Sequence, residues 1–252
     1  VINARNLWKG RDMSQALATE LNRELDSAAA EVVIERALDI FGDRFALVSS
    51  FGAESGALLA LAADVSKDIP VLFLDTSFHF AQTLQHRDTL IETLGLRRVT
   101  SLRAQTADIQ AEDPRSDLWK RSTDACCDLR KVRPLDEALL GYDAWGTGRK
   151  RWQNALRSTL ETVEWDGERI KINPLARWSA TDIVAFSAAR KLPLHPLFEM
   201  GYRSIGCWPC TKATSIDQDQ RAGRWADENK TECGIHLARP TARTTHELVT
   251  AL

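Results

Sequence analysis

Apolar residues change their spacing several times along this chain, and each change predicts an element. From Met13 to Ile40, MSQALATELNRELDSAAAEVVIERALDI, they recur every three or four positions, which predicts one or two amphipathic helices covering a sheet. A short apolar run, RFALVSS (Arg44 to Ser50), follows; after Gly52 comes the helical stretch ESGALLALAADVS, so the reading is strand, tight loop, helix. IPVLFLDT (Ile69 to Thr76) predicts a second buried strand, FAQTLQHRDTLIETLGL the helix after it, and RRVTSL a third strand. From Ala104 to Tyr142 the pattern is helical and polar. YDAWGTG then predicts a returning strand whose Gly146 and Gly148 open a loop. ETVEWDGERIKI predicts a hairpin on Asp166-Gly167, the favoured type I′ pair. NPLARWSATDIVAFSAARKL predicts a helix that starts with Ser179 and Asp182 in capping-box spacing, and beyond Leu192 regular structure thins.

Strands alternating with helices predict a parallel sheet wrapped on both faces, hence an α/β fold. Three regions follow: an N-terminal helical region (1–42) packing on the core, a core that carries the sheet (43–215), and a polar C-terminal tail (216–252). At 252 residues the chain can bury a sizeable core. Its formal net charge of −2 gives no global case for nucleic acid or a membrane surface, so any anion binding has to be local. No apolar run approaches the roughly 18 residues of a membrane span, and VINARNLWKG lacks a signal-peptide core, so the expected location is the cytoplasm. In that reducing setting the five cysteines are expected to be metal ligands or reactive thiols.

In such a sheet, ligands sit at the carboxyl ends of the strands, where helix N-termini point their N–H groups outward. SSFGAES (Ser49 to Ser55) occupies that place after the first strand, and Asp75 and Thr76 end the second strand at the same rim. A small-residue turn and a helix cap would look the same. Cys126 and Cys127 are adjacent, and CWPC adds Cys207 and Cys210, so two close pairs can converge on Zn²⁺ or on an iron–sulfur cluster. Adjacent ligands suit a cluster, with its separate irons, better than a single ion. Cys233 stands apart in NKTECGIHL, near His236. Upstream, RAGRW supplies Arg221 and Arg224, three residues apart and so able to share a helical face and to bind phosphate or sulfate. A solvated charged turn is the bland reading of that stretch.

Together CC followed by DLRKVRPL, then CWPC, RAGRW and ECGIHL resemble the assimilatory sulfonucleotide reductases, specifically adenylylsulfate reductases of the iron–sulfur type. SSFGAES, LDTSFHF and GTGRKRWQ match less strictly, and the likeness runs from about Phe45 to Leu237. It implies the nucleotide-binding fold of the adenine nucleotide alpha hydrolase (ATP-pyrophosphatase) type, with a mobile C-terminal tail. It implies that Cys126, Cys127, Cys207 and Cys210 hold a [4Fe–4S] cluster, that Cys233 is the nucleophile, and that Lys131 reaches between cluster and substrate. Arg221, Arg224 and His236 would surround the phosphosulfate, with Ser49, Ser50, Phe51, Gly52, Asp75, Thr76, Gly148 and Arg151 contacting the nucleotide. The implied substrate is adenosine 5′-phosphosulfate, giving sulfite and AMP through a cysteine S-sulfonate that thioredoxin or a glutaredoxin-like dithiol resolves. The implied assembly is a homo-oligomer.

Ser77 stands where the family has glycine, Ala81-Gln82 where it has Pro-Glu, and Lys150 where arginine is common; Trp152 is bulkier than usual, while Arg151 and Gln153 match. These departures bear on the nucleotide contacts and on the substrate's 3′ position. Three alternatives stay open: a reductase of the 3′-phosphorylated nucleotide or of both nucleotides, an ATP-dependent sulfur-inserting enzyme, and a four-cysteine metal-binding module.

Overall fold

The periodic stretch near the N-terminus breaks into two helices, α1 (Gln15–Leu25) and α2 (Ala30–Phe41), in a computed structural model that describes residues 14–215, 217–226, 230 and 232–236. VINARNLWKG and the segment 238–252 lie outside the described residues. Ser14 caps α1 by accepting from the Leu17 N–H at 3.3 Å. Both helices turn apolar faces inward: Leu17, Leu21 and Leu25 from α1, Val33, Ile34, Ala37 and Phe41 from α2.

The alternation that follows is built as predicted: β1 (Phe45–Ser49), α3 (Ser55–Val65), β2 (Val71–Leu74), α4 (Ala81–Leu94) and β3 (Val99–Leu102). Short helices α5 (Thr106–Glu112), α6 (Leu118–Arg121), α7 (Thr123–Cys127) and α8 (Arg133–Leu139) lead to β4 (Ala144–Gly146). The hairpin of β5 (Val163–Trp165) and β6 (Ile170–Ile172) and helix α9 (Ala180–Ala189) complete the core. Strand order is β3-β2-β1-β4-β6-β5; every neighbouring pair is parallel except β5 with β6. The antiparallel edge is the predicted hairpin, but its turn differs. Asp166 N–H donates to Arg169 O at 3.0 Å, so the turn is Gly167-Glu168 instead of Asp166-Gly167, and the Asp166 carboxylate braces it by accepting from the Glu168 and Arg169 N–H groups (3.0 and 2.8 Å) and from Trp145 Nε1 (2.7 Å). Only Gly167 of the pair has positive φ (+105°), so no type I′ turn forms.

Alternate residues of β1 feed two cores. Phe45 and Leu47 join α1, α2, α3 and Ile183 of α9 on one side, while Ala46 and Val48 join Leu135 and Leu139 of α8 and Trp145 on the other. Gly56 to Ala62 of α3 are all buried, as expected of a helix packed among several neighbours. The predicted capping box opens α9: Ser179 Oγ accepts from the Asp182 N–H at 3.1 Å, and the Asp182 carboxylate accepts from the Ser179 N–H at 2.7 Å. Among the described residues no helix is long and apolar enough to cross a membrane.

Two histidines are locked between α4 and the chain after it. The His86 and His195 rings lie 4.8 Å apart, and the Leu197 N–H donates to His195 Nδ1, so Nε2 carries the proton and donates to Thr83 Oγ1 at 3.0 Å. Burial pushes both imidazoles down to about 4, and their mutual repulsion adds to the effect at His195. The unfolded chain therefore takes up protons near pH 6.5 that the folded protein refuses, so stability is full above that pH and falls as pH drops toward 4. Thermal unfolding between pH 7 and 5 should show a falling midpoint, with a shallower slope in His86→Phe; equal slopes would remove this pair as the cause.

Candidate functional site

Strand order reverses direction between β1 and β4: from β1 the chain winds outward to β2 and β3, then returns to β4 on the other side. Crevices at such switch points are where open α/β sheets bind ligands. A cavity of about 200 Å³ opens there, lined by Ser49, Ser50, Gly52 and Glu54 from the loop after β1 and by Thr147 to Lys150 and Gln153 from the loop after β4. The first loop is folded tightly, with the Phe51 N–H donating to Ser49 Oγ at 3.2 Å and Phe51 at φ +48°. A bulky residue in that region is strained, and such strain collects at ligand-binding loops.

The walls are strongly cationic although the chain is slightly acidic. Lys131, Arg149, Lys150, Arg157, Arg203, Arg221 and Arg224 line the cavity against two carboxylates, Glu54 and Glu232. Glu54 is committed to one end: its carboxylate accepts from Lys150 Nζ (2.6 Å), Gln153 Nε2 (3.1 Å) and Gln220 Nε2 (2.6 Å). Burial holds Lys150 below the usual lysine range, against the attraction of Glu54. Arg149 is tied to Glu164 and to Asn173 Oδ1. Arg221 and Arg224 line the cavity from a non-helical turn, in which Arg224 N–H donates to Arg221 O at 2.8 Å. The expected shared helical face is absent, because residues 219–226 form consecutive turns stitched to the CWPC segment, with Thr211 paired antiparallel to Arg224.

Cys233 enters from the tail. Its segment is seated by Glu232, whose carboxylate accepts a fork from Arg157 (2.7 and 2.6 Å) with both side chains under 10 % exposed, and by Ile235 packed against the core that holds Trp145. His236 stacks on Trp145, rings 6.3 Å apart and nearly parallel. Burial, reinforced by Lys171, Arg149, Arg157 and Arg221, holds His236 far below its ordinary value, so it is neutral at pH 7. Cys233 is held well below the usual thiol range by a hydrogen bond from the Cys127 thiol, against its burial, and by the charges of Lys131 and Arg224. The same contact and burial push Cys127 up. Once Cys127 binds a metal its proton is gone, and Lys131, the Ile235 N–H and Arg224 are the groups left to hold the Cys233 thiolate.

Four thiols line a second void, which shares Lys131 with the cavity. Ser122 caps α7 (Ala125 N–H to Ser122 Oγ, 3.1 Å), which ends in Cys126 and Cys127. The chain then widens into a π turn, Asp128–Val132. Cys207 pairs with His79 across an isolated bridge and its thiol lies 3.2 Å from Thr76 Oγ1, while Pro209 helps turn Cys210 back. Cys126, Cys127, Cys207 and Cys210 line one narrow void with Thr76, Phe78, Trp119, Arg130 and Lys131. Arg130 braces its wall, donating to Asp113 Oδ2 (2.7 Å) and Thr76 O (3.1 Å) beneath the Phe78 ring. All five cysteines are free thiols. Burial and the neighbouring Cys207 push Cys126 up to about 11, so filling the void with metal would release protons. Among the described residues no three His, Cys, Asp or Glu side chains close on a single ion. Zinc needs its thiolates about 2.3 Å from one point, whereas a cluster binds each thiolate at a different iron, and four thiols spread round a void fit the second arrangement.

Of the residues singled out in the sequence, Ser49, Ser50, Gly52, Lys131, Gly148, Arg221, Arg224, Cys233 and His236 line the cavity, and Thr76 joins the thiol void. Three do not. The Phe51 ring packs edge-on against Phe73 inside the core, since the strained backbone turns it inward. Asp75 is engaged by Arg103 (2.6 and 2.9 Å) and accepts from the Ser77 N–H, so it shapes the turn after β2. Arg151 donates to Leu160 O (2.7 Å) and Asp26 (3.0 Å), which anchors the loop to the end of α1 and points it away from the cavity. Glu54, His79, Arg149, Arg157, Arg203, Gln220 and Glu232 were not expected there. Glu232 had a signal in its place beside Cys233, and Glu54, His79 and Arg149 in lying within SSFGAES, LDTSFHF and GTGRKRWQ; Arg157, Arg203 and Gln220 have none outside the fold.

Residues 44–213 match the family described as the phosphoadenosine phosphosulfate reductase domain. An adenosine 5′-phosphosulfate reductase of Chelativorans sp. is 47 % identical over 222 residues, covering 87 % of this chain and 91 % of the relative. A phosphoadenosine 5′-phosphosulfate reductase of Gloeobacter violaceus is 38 % identical, covering 89 % and 95 %. Among solved structures, the phosphoadenylyl-sulfate reductase of Candida auris, a phosphate complex, superposes with TM-score 0.68 at 26 % identity, covering 80 % of this chain and 99 % of that one. The FMN adenylyltransferase of Candida glabrata is similar in fold alone, with TM-score 0.52 at 13 % identity over 90 % and 88 % of the two chains.

Proposed function

The chain belongs to the phosphoadenosine phosphosulfate reductase domain family, and on that premise we propose that it reduces adenosine 5′-phosphosulfate to sulfite and AMP through an S-sulfonate on Cys233. The observation that carries this reading is one cationic cavity at the switch point that contains Cys233 and shares a wall, Lys131, with a void lined by four thiols.

The loop after β1 offers the nucleotide a close backbone approach at Ser49, Ser50 and Gly52, at the N-terminus of α3. Arg221, Arg224 and Lys131 face the phosphosulfate and neutralise charge that would repel an incoming thiolate. The Cys233 thiolate attacks the sulfur. The thiolate becomes a cysteine S-sulfonate as the S–S bond forms, the bond from sulfur to the bridging oxygen breaks, and AMP departs with the electron pair. A dithiol of the thioredoxin or glutaredoxin class then attacks the Cys233 sulfur, releases sulfite and ends as a disulfide. Such a reductant belongs to a reducing compartment, which fits the cytoplasm. Neutral His236, stacked on Trp145, bounds the cavity without adding a proton that the thiolate could take.

Cys126, Cys127, Cys207 and Cys210 would hold a [4Fe–4S] cluster, which when bound supplies an electrostatic field beside Lys131. The nucleotide without a 3′-phosphate is favoured because Lys150, the cation in the loop where the family commonly has arginine, is already neutralised by Glu54.

The test is incubation with sulfur-labelled adenosine 5′-phosphosulfate, then with thioredoxin, alongside iron and sulfide analysis. One labelled sulfo group per chain, released as sulfite, with kcat/KM at least about tenfold above that for the 3′-phosphorylated nucleotide, is the expected result. ATP-dependent adenylation without sulfite would support the sulfur-inserting alternative, and one zinc with no labile sulfide would support the metal module.

A further inference from the structure

Trp225 is the unexplained member of RAGRW. It is buried (4 % exposed), yet its backbone sits at φ +49°, a region a bulky side chain enters only when its surroundings over-determine it. Its N–H donates to Cys210 O at 3.1 Å, and the next rung of the same stitch pairs Lys212 N–H with Gly223 O at 2.8 Å. The arginine turn is therefore bonded to the segment that carries two of the four thiols.

The ring explains the strained backbone. Three cations gather about it: the Arg224 guanidinium at 4.5 Å from the centroid, Lys230 Nζ at 5.4 Å and the Arg221 guanidinium at 5.8 Å. Lys230 also pairs with Asp124, and Arg221 faces Glu232 at 3.7 Å, which leaves Arg224 the most reliant on the ring. The negative face of an indole attracts each of them, most strongly where water is excluded. Arg224 depends on this support in particular: its Nε is buried without a hydrogen-bond partner. Gly206 leaves room for its guanidinium, since a Cβ there would come within 2.3 Å of Arg224 Nη2. Trp225 borders the nucleotide cavity on one side and a groove beside Cys210 and Trp119 on the other.

We propose that Trp225 is a positioning residue for the sulfonucleotide: its ring gathers Arg221 and Arg224 into one cationic wall of the cavity, and its backbone ties that wall to the Cys210 segment. The proposal rests on the reading that this cavity takes adenosine 5′-phosphosulfate, and it adds what holds the anion-binding side chains together. The ring touches no reacting atom. It acts through the arginines.

Affinity for adenosine 5′-phosphosulfate is measured by calorimetry on full-length, metal-loaded Cys233→Ser protein, which binds without turning over. Adding Trp225→Leu should weaken binding on the order of tenfold, while Trp225→Phe, which keeps an aromatic face, should stay within about threefold of the parent. With Arg224→Met already present, Trp225→Leu should cost far less than it does alone, because the partner it positions is gone. Thermal midpoints report packing separately and should fall alike for the leucine and phenylalanine variants. Equal loss of affinity in the two, or additivity with Arg224→Met, overturns the proposal by making Trp225 a packing residue. If the leucine variant does not fold, the phenylalanine variant decides: affinity near the parent's supports the proposal and a tenfold loss overturns it. Failure of the Cys233→Ser parent itself to bind the nucleotide would instead strike the functional reading beneath.

Discussion

Cys233→Ser is expected to lower sulfite formation by roughly a thousandfold or more, the loss that follows removal of a nucleophile whose intermediate is covalent. The physical basis is where the thiol sits. Glu232 and Arg157 seat its segment, Ile235 and His236 dock behind it, and Lys131 and Arg224 favour its ionised form. A serine hydroxyl in that place gains no comparable ionisation and is a poor nucleophile toward sulfur. Mass spectrometry after incubation with adenosine 5′-phosphosulfate should find the sulfo group on Cys233 in the parent and nowhere in the variant. Visible absorption and iron content should be unchanged, since Cys233 is not one of the four thiols that line the void. An adduct on another cysteine would end the assignment.

Lys131→Met should be the next most damaging change, reducing kcat by about a hundredfold, the scale of losing one preorganised charge at a reacting centre. Lys131 lines both the nucleotide cavity and the thiol void. Burial opposes its charge, but Cys207, Cys233 and Cys127 together outweigh burial and hold it above the usual lysine range. Methionine keeps the length and apolar stem while removing the ammonium, so the fold should survive. Arginine should restore little, because its planar fork needs room that a compact ammonium does not. Stopped-flow transfer of the sulfo group to Cys233 would separate the chemical step from reductant attack. A variant that transfers at the parent's rate and merely melts earlier would make Lys131 a packing residue.

Both effects fall on residues that local pattern made visible. Cys126 and Cys127 in a polar helix, CWPC eighty residues later, and a lone Cys233 in a charged tail are rare residues at informative spacings, so sequence sufficed to group them. Arg221 and Arg224 were legible as a pair, but the helix expected to align them was not there. Three-residue spacing is shared by helices and by successive turns, and the bonds that chose the turns come from the CWPC segment. Arg151 lies outside the cavity lining for a related reason. Its match to the arginine loop is a matter of sequence position, whereas its direction is set by Asp26, 125 positions away in the chain.

From sequence alone the α/β alternation, the hairpin, the capping box of α9 and the family-like set of thiols were determined, because each depends on periodicity or on residue chemistry within a few positions. Tertiary structure alone decided the strand order, and with it the switch point between β1 and β4 that brings Ser49, Lys150 and Cys233 to one cavity. It also decided which charges stay available. Lys150 is neutralised by Glu54 and Arg149 is tied to Glu164, while Arg224 stands with Arg221 beside the Trp225 indole. Electrostatic pairing acts over a few ångströms of space, and distance along the chain carries no information about it once the sheet has closed.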